Sequence, residues 1–305
     1  MVTSKRAEEV IVFLSNNGIE ETAKKFGISK DTIDRYNRVV AQKLPRAPKV
    51  LLFDIETAPM TVFTWSLFKP MISPSNIVSD WFIISWSAKW LFNPNTFGDV
   101  LTSKEALAKD DKRVVTSLWK LFNEADIVIA HNGNRFDIKK MNARFIMQHL
   151  LPPTPYESID TLLVAKKHFA FSSNKLDYLG HLMARRGKIE TNFQLWIDCI
   201  AGKKESLEEM FTYNKEDVNI LEEVYLQLRP WIKSHPNMGI YTDAHESVCP
   251  NCGSTHLDEI GDYTTMAGRF TSFRCMNPAC GAIGRMPANN LKLTQRRKLL
   301  RSVAR

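Results

Sequence analysis

The feature that most restricts how this 305-residue chain can fold is a group of four cysteines near its C-terminus. Cys249 and Cys252 form one pair, Cys275 and Cys280 form another, and a glycine follows each pair directly. Two pairs of this kind predict a closed tetrahedral site of four thiolates, which is the usual ligand set of structural zinc. Because a ribbon of this size has little core, we expect zinc binding to supply about 10 kcal/mol of its folding free energy. The fifth cysteine, Cys199, is interpreted as a core residue.

Positive charge is concentrated after the cysteines. The formal net charge is +8, and residues 285–305 contribute +7 of it without one acidic residue. Clustered lysine and arginine release condensed counterions when they bind a nucleic acid, so this pattern predicts a polyanionic partner. The alternative is a solvated charged tail, and a weak amphipathic pattern of leucines keeps docking to a partner protein open. The residues predicted to contact nucleic acid here are Arg296, Arg297, Lys298 and Arg301.

Residues 1–44 predict a small all-α domain of three short helices, because apolar residues recur there at helical spacing. Gly27 should separate the second helix from the third, and Ser29 should cap the third. The segment 22–33 resembles a helix-turn-helix, which implies that the start of the third helix faces the major groove of DNA through Ser29, Lys30, Thr32 and Arg35. A trihelical unit that only packs or binds protein is the alternative. Residues 45–48 contain two prolines and predict a stiff linker.

Residues 49–235 predict an α/β domain. Apolar runs indicate buried strands, and helical periodicity indicates helices over 105–123, 137–150, 161–169 and 205–228. The predicted strands cover 50–53, 81–90, 127–130 and 156–160. The early strands follow one another and the later ones alternate with helices, so we expect a mixed β-sheet flanked by helices. Trp65, Phe68 and Trp86 are interpreted as core residues near that sheet, with base stacking as the alternative.

Four acids and a phenol of this domain are placed so that they can converge. Asp54 and Glu56 are at the end of the first strand, two residues apart and therefore on one face. Asp137 lies at a strand-to-helix junction, and Tyr213 and Asp217 lie four residues apart on one helical face. Taken singly, Asp137 could be a helix N-cap and Asp217 a solvated residue. Together, such oxygen ligands suit Mg²⁺ or Mn²⁺, and paired ions of this kind promote phosphodiester hydrolysis.

These residues also carry a family resemblance. The run 53–57 (FDIET), the run 131–137 (HNGNRFD) and the Tyr213-x-x-x-Asp217 pair resemble, in order and spacing, the three motifs of the DEDDy 3'-5' exonucleases. The first motif is most similar to the proofreading domain of family B DNA polymerases. Residues 49–230 are similar to stand-alone phage polymerase exonuclease subunits. The resemblance implies an RNase H-like fold.

The resemblance further implies two Mg²⁺ or Mn²⁺ ions and a role for each motif residue. Asp54, Glu56 and Asp217 would bind the ion on the side of the nucleophile, and Asp54 would also contact the second ion. Asp137 would help to hold that second ion through water, and Tyr213 would position the attacking water. The expected product is a nucleoside 5'-monophosphate.

Several neighbours of these motifs are secondary candidates. Asn132 and Lys175 are predicted to contact the nucleic acid near its 3' end. The polar run 172–174 before Lys175 could share that role or could be a helix-capping loop. Asp160, at another strand end, is interpreted as structural or as a support for the metal ligands.

The sequence therefore predicts an α/β chain with an RNase H-like mixed β-sheet flanked by helices, a helix-turn-helix, a zinc ribbon at 245–286 and a basic tail at 287–305. The expected activity is 3'-5' hydrolysis of DNA in replication, repair or recombination, with a replication or recombination protein as a partner. A structure-selective endonuclease or an RNA-directed nuclease is one alternative, and an inert DNA-binding scaffold is another. Because no apolar run approaches a membrane span or a signal peptide, we expect no membrane partner and a cytoplasmic location. The resemblance to phage exonuclease subunits implies that the cell is bacterial or phage-infected.

Overall fold

A computed structural model describes residues 4–33, 36, 47–184, 191–242 and 246–300. The chain divides into two compact units. One comprises Met1–Ala47 with Ile240–His245, and the other comprises Pro48–Gly239 with Glu246–Arg305. The predicted α/β fold class is confirmed, whereas the predicted domain boundaries stay predictions. No helix within the described ranges is long and apolar enough to cross a membrane.

The first unit is helical. Helix α1 (Ser4–Phe26) is interrupted at Gly18, whose φ of 78° and ψ of 170° are not helical, so α1 consists of two helices in sequence. Gly27 has a φ of 62°, and the chain is helical again over residues 30–33. The Oγ of Ser29 accepts the N–H of Thr32 at 3.2 Å, which confirms the predicted break at Gly27 and the predicted cap at Ser29. Arg35 lies outside the described residues.

The second unit is built on a five-stranded sheet. Its strands are β1 (Val50–Thr57), β4 (Ile83–Trp90), β5 (Phe97–Val100), β6 (Ile127–Ala130) and β7 (Glu157–Asp160), in the spatial order β5-β4-β1-β6-β7. Strands β1, β6 and β7 are parallel, and β4 and β5 are antiparallel to their neighbours. The predicted mixed sheet is therefore present, with β1 at its centre.

Strands β2 (Thr61–Val62) and β3 (Ile77–Ser79) form a separate two-stranded arm. Trp65 and Phe68 lie between them and are 103% and 86% exposed, so their predicted place in the core is wrong. The reason is that this arm pairs with neither of the other sheets and offers them no core to join. Trp86 in β4 is buried as predicted, and its ring N–H donates to the carbonyl of Val114 at 2.8 Å.

The helices of this unit flank the five-stranded sheet. They are α2 (Ser103–Ala108), α3 (Lys112–Glu124), α4 (Asp137–Met147), α5 (Thr161–His168), α6 (Leu176–Leu179), α7 (Phe193–Ile200) and α8 (Lys204–Leu228). A π-helical turn covers Gly180–Ala184, and 3-10 turns cover Pro74–Asn76, Arg229–Trp231 and Met238–Tyr241. The predicted helices around residues 137, 161 and 205 are confirmed, within the two or three residues by which helix ends commonly vary.

The single helix predicted over 105–123 is wrong, because the chain there forms α2 and α3. Lys109 ends α2 in the left-handed region, with a φ of 54°. Two residues later the carboxylate of Asp111 is fully buried, where it accepts the backbone N–H of Ile83 at 2.9 Å and pairs with Arg144. Fixing Asp111 at this place requires the chain to turn before α3 begins.

Alternation along β1 separates two apolar cores. Leu51, Phe53 and Ile55 are buried in the larger core, whereas Val50 and Leu52 are buried in a second core that includes residues of α8. Cys199 is buried in the larger core, as predicted. Asp54 and Glu56 are separated from Val50 and Leu52 by even numbers of residues, so their side chains point to the same face of the sheet, the face of the second core. Helix α8 and the C-terminal end of β1 therefore meet at one place.

The C-terminal part of the second unit is a small antiparallel sheet. Strands β8 (Leu257–Thr265), β9 (Gly268–Cys275) and β10 (Ile283–Asn289) lie in the order β10-β9-β8, and the short helix α9 (Leu293–Arg296) follows. Cys249, Cys275 and Cys280 are buried with Phe273 in a core of their own, and Cys252 packs against it. We call residues 246–300 the ribbon.

Candidate active site

Three carboxylates converge at the C-terminal end of β1. Each of Asp54, Glu56 and Asp217 offers one oxygen, and these three oxygens all lie within 4.8 Å of one another. Ile55, between the first two, is buried in the core, as the two-residue period predicts. Asp217 comes from α8 and is only 3% exposed. The grouping of these three acids predicted from their motif positions is thus present in the fold.

This arrangement fits a divalent cation. Three negative charges this close repel one another, and burial of Asp217 increases the repulsion. Two oxygens that bind one Mg²⁺ at about 2.1 Å lie at most about 4.2 Å apart, so small side-chain rotations suffice to bring these oxygens onto one ion. Hard carboxylate oxygens are also the ligands that Mg²⁺ and Mn²⁺ prefer.

Helix α8 contributes a residue that sequence reasoning missed. The side-chain amide of Asn214 is fully buried and donates to the Oδ2 of Asp54 at 2.6 Å. Its Oδ1 lies 3.4 Å from the hydroxyl of Ser85 in β4. Asn214 therefore fixes the orientation of Asp54. The available signal was its spacing of three residues from Asp217, which places both on one face of the helix.

Asp137 begins α4 and faces the same region, but it lies apart from the group of three. It is 3% exposed, and its Oδ1 accepts the backbone N–H of Ile55 at 3.3 Å. Burial raises the pKa of Asp137 from 3.8 to about 7, and the negative charge of Asp160 adds to the increase. Its assigned role in holding a second cation stays a prediction.

The raised pKa of Asp137 predicts how the stability of the metal-free protein depends on pH. The folded-state pKa lies above the unfolded value, so folding favours the protonated carboxyl, and the free energy of unfolding should fall as pH rises from about 4 through about 7. Urea titrations across this range in metal-free buffer measure the effect. Asp137→Asn should remove most of the decrease, and an unchanged pH dependence in that variant would contradict the assignment.

The carboxylates line a cavity of about 840 Å³. Asp137, Tyr213 and the predicted contacts Asn132 and Lys175 line it as well, so the fold brings together the residues that the three motifs nominated. Tyr213 is 5% exposed, and its ring meets that of Trp196 edge to face at 6.1 Å between centroids. Sequence reasoning gave no role to six other lining residues, His131, Phe136, Leu162, Lys166, Asp177 and Thr191.

A comparison with known protein families indicates the kind of domain that holds this site. Residues 96–229 match the family model of the RNase_H superfamily. No curated protein matches the chain. The matched stretch contains Asp137, Tyr213 and Asp217, and it begins after the β1 residues Asp54 and Glu56. The match supports an RNase H-like fold, and with the carboxylate group it indicates a metal-dependent activity of the nuclease type.

We call residues Pro48–Gly239, which hold the five-stranded sheet and its helices, the RNase H-like domain. Asp160 holds the loop before α4 of this domain. Its Oδ1 accepts the N–H groups of Leu162 and Asn132 at 3.0 Å each, and its Oδ2 accepts that of Asn134 at 3.2 Å. Asn132 has a φ of 68°, and a Cβ on the next residue, Gly133, would lie 2.5 Å from the Cβ of Ala130. The structural role predicted for Asp160 is confirmed, because it caps α5 and holds this tight loop in place.

The segment 172–174 is tied to the same loop. The two ring nitrogens of His131 lie 2.9 Å from the hydroxyl of Thr161 and 2.9 Å from the carbonyl oxygen of Asn174. Ser173 accepts the backbone N–H of Lys175 at 3.3 Å, which agrees with a capping loop. The Oδ1 of Asn174 is buried and has no hydrogen-bond partner among the described residues. Asn174 also lines the main cavity.

A second cavity of about 520 Å³ adjoins the first in the RNase H-like domain, and Thr191 lines both. The second cavity is mainly apolar and aromatic, and its walls include Met60, Trp81, Phe193 and Trp196. Lys140 also lines it, with its ammonium 3.8 Å from the centre of the Trp81 ring. Sequence reasoning missed this cavity, because its residues come from four separate segments and carry no motif.

The four cysteines of the ribbon are placed as ligands of one ion. The Sγ atoms of Cys249 and Cys280 are 3.8 Å apart, and those of Cys252 and Cys275 are 3.5 Å apart. In a tetrahedron with Zn–S distances of about 2.3 Å, the sulfurs lie about 3.8 Å from one another, whereas a disulfide would require about 2.05 Å. The donor set and its spacing therefore fit zinc.

Proposed function

We propose that this chain is a metal-dependent 3'-5' exonuclease that shortens DNA strands and releases nucleoside 5'-monophosphates. The observation that carries the proposal is the group of Asp54, Glu56 and Asp217 in one cavity with Tyr213. Tyrosine at this position, where a sister subgroup of the resembled exonucleases has histidine, favours the DEDDy type.

Each residue has a chemical task in this proposal. Divalent cations bound by the carboxylates would acidify the attacking water and neutralise charge on the phosphodiester. Asn214 keeps Asp54 in the orientation that such binding needs, because it donates to Asp54 Oδ2. The hydroxyl of Tyr213 would orient the attacking water. Lys166 and Lys175 line the same cavity and would attract the phosphates of the strand.

The adjoining cavity favours attack at a strand end. Trp81, Phe193 and Trp196 provide ring surfaces of the kind on which bases stack, and Met60 adds an apolar contact. A terminal base in this cavity would place the last phosphodiester near the carboxylates. An endonuclease would instead need the strand to continue in both directions from the site.

Contacts outside the RNase H-like domain would hold the substrate. Ser29 and Lys30 are exposed at the start of the third helical segment, beside Thr32, and would contact DNA. Lys30 lies 3.5 Å from Glu20, and an exposed pair of this kind opens at little cost. The basic residues 296–298 are exposed and would contact phosphates, whereas Arg301 lies outside the described residues.

The proposal is tested by digestion of 5'-labelled single-stranded DNA with Mg²⁺ or Mn²⁺. Wild-type protein should give a ladder that shortens from the 3' end, because each cut exposes a new terminal phosphodiester. Asp54→Ala should give no ladder, and circular single-stranded DNA should stay intact.

Each of the other outcomes selects a different function. Cleavage of the circle would indicate an endonuclease, and preference for a matched RNA would indicate an RNA-directed nuclease. Binding without metal-dependent cleavage would indicate a scaffold and would overturn the proposal.

A further inference from the structure

The three-stranded sheet of the ribbon has two unlike faces. Phe273 and Cys275 of β9 are buried on the side of the cysteines. Because side chains alternate along a strand, Phe270, Ser272 and Arg274 lie on the opposite side. The cross-strand register adds residues of β8 and β10 to that side. We define the outer face of the ribbon by Tyr263, Phe270, Arg274, Ile283 and Arg285.

Aromatic and cationic groups are neighbours on the outer face. Tyr263 of β8 is paired in register with Phe270 of β9. The guanidinium carbon of Arg285 lies 3.8 Å from the centre of the Phe270 ring, so the planar cation stacks on the ring. The outer face therefore presents two adjacent flat surfaces, the Tyr263 ring and the Arg285–Phe270 pair.

Small residues, Gly261 and Ser272, form the centre of the outer face. Ser272 is buried there, and its hydroxyl donates to the carbonyl of Gly261 at 2.8 Å. A Cβ added to Gly261 would meet no atom within 4 Å, so the space above this glycine is free. The surrounding side chains are accessible, since Tyr263 is 50% and Ile283 is 55% exposed. An extended ligand can thus lie across the strands and reach both flat surfaces.

The charge around the outer face favours a polyanion. Residues 268–300 contain seven lysines and arginines and no aspartate or glutamate. Asp258 is the acidic residue of β8 that shares the outer face, where it pairs in register with Arg274. Asp262 points to the other face and lies 3.7 Å from Arg269. The outer face itself carries Arg274 and Arg285 against Asp258, and the segment that follows it adds four cations without an acidic residue, Lys292, Arg296, Arg297 and Lys298.

We propose that the outer face of the ribbon binds single-stranded nucleic acid, with bases stacked on Tyr263 and on the Arg285–Phe270 pair and with phosphates near Arg274. Stacking of this kind requires bases that are not already paired in a duplex. An acidic protein could pair its carboxylates with the arginines, but its charge would not account for the Tyr263 ring and the Arg285–Phe270 pair. The site is separate from the carboxylate cavity and does not depend on cleavage.

The test compares two probes of equal length and charge. A labelled thymidine 20-mer and an abasic 20-mer are titrated by fluorescence anisotropy against full-length protein in the Asp54→Ala background, so that neither is cut. Tyr263→Ala and Arg285→Ala should each weaken binding of the thymidine 20-mer about tenfold, the lower part of the range for loss of one stacked base. Binding of the abasic 20-mer should change much less in Tyr263→Ala, because this variant keeps the charge.

Two control variants separate stacking from charge and from misfolding. Arg269→Ala removes a cation from the opposite face of the same strand, so it should weaken both probes to the same extent and leave their ratio unchanged. Tyr263→Phe keeps the ring and should retain wild-type binding. Thermal midpoint and zinc content establish that each variant is folded.

The outcomes are distinct from those of the ladder experiment. If Tyr263→Ala and Arg285→Ala each leave the ratio of the two probe affinities unchanged, whether both affinities fall equally or neither falls, the inference is overturned. A uridine 20-mer distinguishes RNA from DNA, and either preference agrees with the inference. If the protein proves not to cleave DNA, the probe ratio still reports on the outer face alone.

Discussion

Asp217→Asn is expected to lower the rate of DNA hydrolysis at least about a thousandfold and, in the absence of metal, to stabilise the protein. The first effect follows because Asp217 supplies one of the three clustered oxygens. Loss of about 4 kcal/mol of transition-state stabilisation, a reasonable share of what bound cations provide, corresponds to about a thousandfold in rate. The second effect follows because the substitution removes one of three mutually repelling charges, each pair of which costs about 3 kcal/mol at an effective dielectric constant near 20.

Asp217→Asn should lower the rate of hydrolysis but raise the stability of the metal-free protein, and a variant that is merely misfolded would lower both. Single-turnover digestion measures the rate, and thermal unfolding in metal-free buffer and with Mg²⁺ measures the stability. Wild-type protein should gain stability from Mg²⁺ and Asp217→Asn should gain much less. Glu208→Gln, an exposed change on the same helix, should alter neither quantity. If Asp217→Asn retained both cleavage and the stabilisation by Mg²⁺, the assignment of the carboxylate group as the metal site would be wrong.

Removal of zinc from the ribbon is expected to destabilise the RNase H-like domain as well. Arg229, directly after α8, is 1% exposed and donates to the carbonyl of Asn251, which lies between the first two cysteines. The side-chain amide of Asn251 donates back to the carbonyl of Arg229 at 3.1 Å, and the N–H of Met238 donates to the carbonyl of Pro250 at 2.6 Å. Loss of the ordered cysteine loop would leave these buried groups unpaired, at a cost of about 1–3 kcal/mol each.

Tryptophan fluorescence isolates the response of the RNase H-like domain, because all seven tryptophans precede residue 232 and the ribbon contains none. Chelation of zinc should lower the midpoint of the fluorescence transition in urea. Arg229→Met removes the guanidinium that joins the two parts, so its midpoint should start lower and respond less to chelation. Lys233→Met, an exposed change nearby, serves as the matched control. A midpoint that does not move on chelation would show that the ribbon and the domain unfold independently.

The parts of the fold that sequence predicted are those encoded by short-range periodicity. The apolar run of β1 and the two-residue spacing of Asp54 and Glu56 fix their face of the sheet, and the four-residue spacing of Tyr213 and Asp217 does the same on α8. By contrast, the break at Lys109 depends on Asp111 reaching Arg144, a contact between distant segments that no local pattern reveals. The exposure of Trp65 was missed for a related reason, since hydrophobicity alone does not show whether a core lies within reach.

The site residues also fall into those that local sequence patterns indicate and those that depend on contacts between distant segments. The motif residues follow from local sequence patterns, and the fold brings them to one cavity. Asn214 and the aromatic walls of the second cavity were not, because their roles exist only once α8 lies against the sheet. The outer face of the ribbon required strand register, which neither the cysteine spacing nor the charge pattern contains.

The position of Asp217 on α8 has a consequence for the order of events during synthesis. A ribosome makes Asp54 and Glu56 early, and 160 further residues must follow Glu56 before Asp217 is added. Strands β1, β4 and β6 can pair before that point, since all of them precede α8. The group of three carboxylates is therefore complete only when α8 emerges. If the chain is the nuclease proposed above, a partly made chain therefore lacks a complete metal site until α8 has emerged.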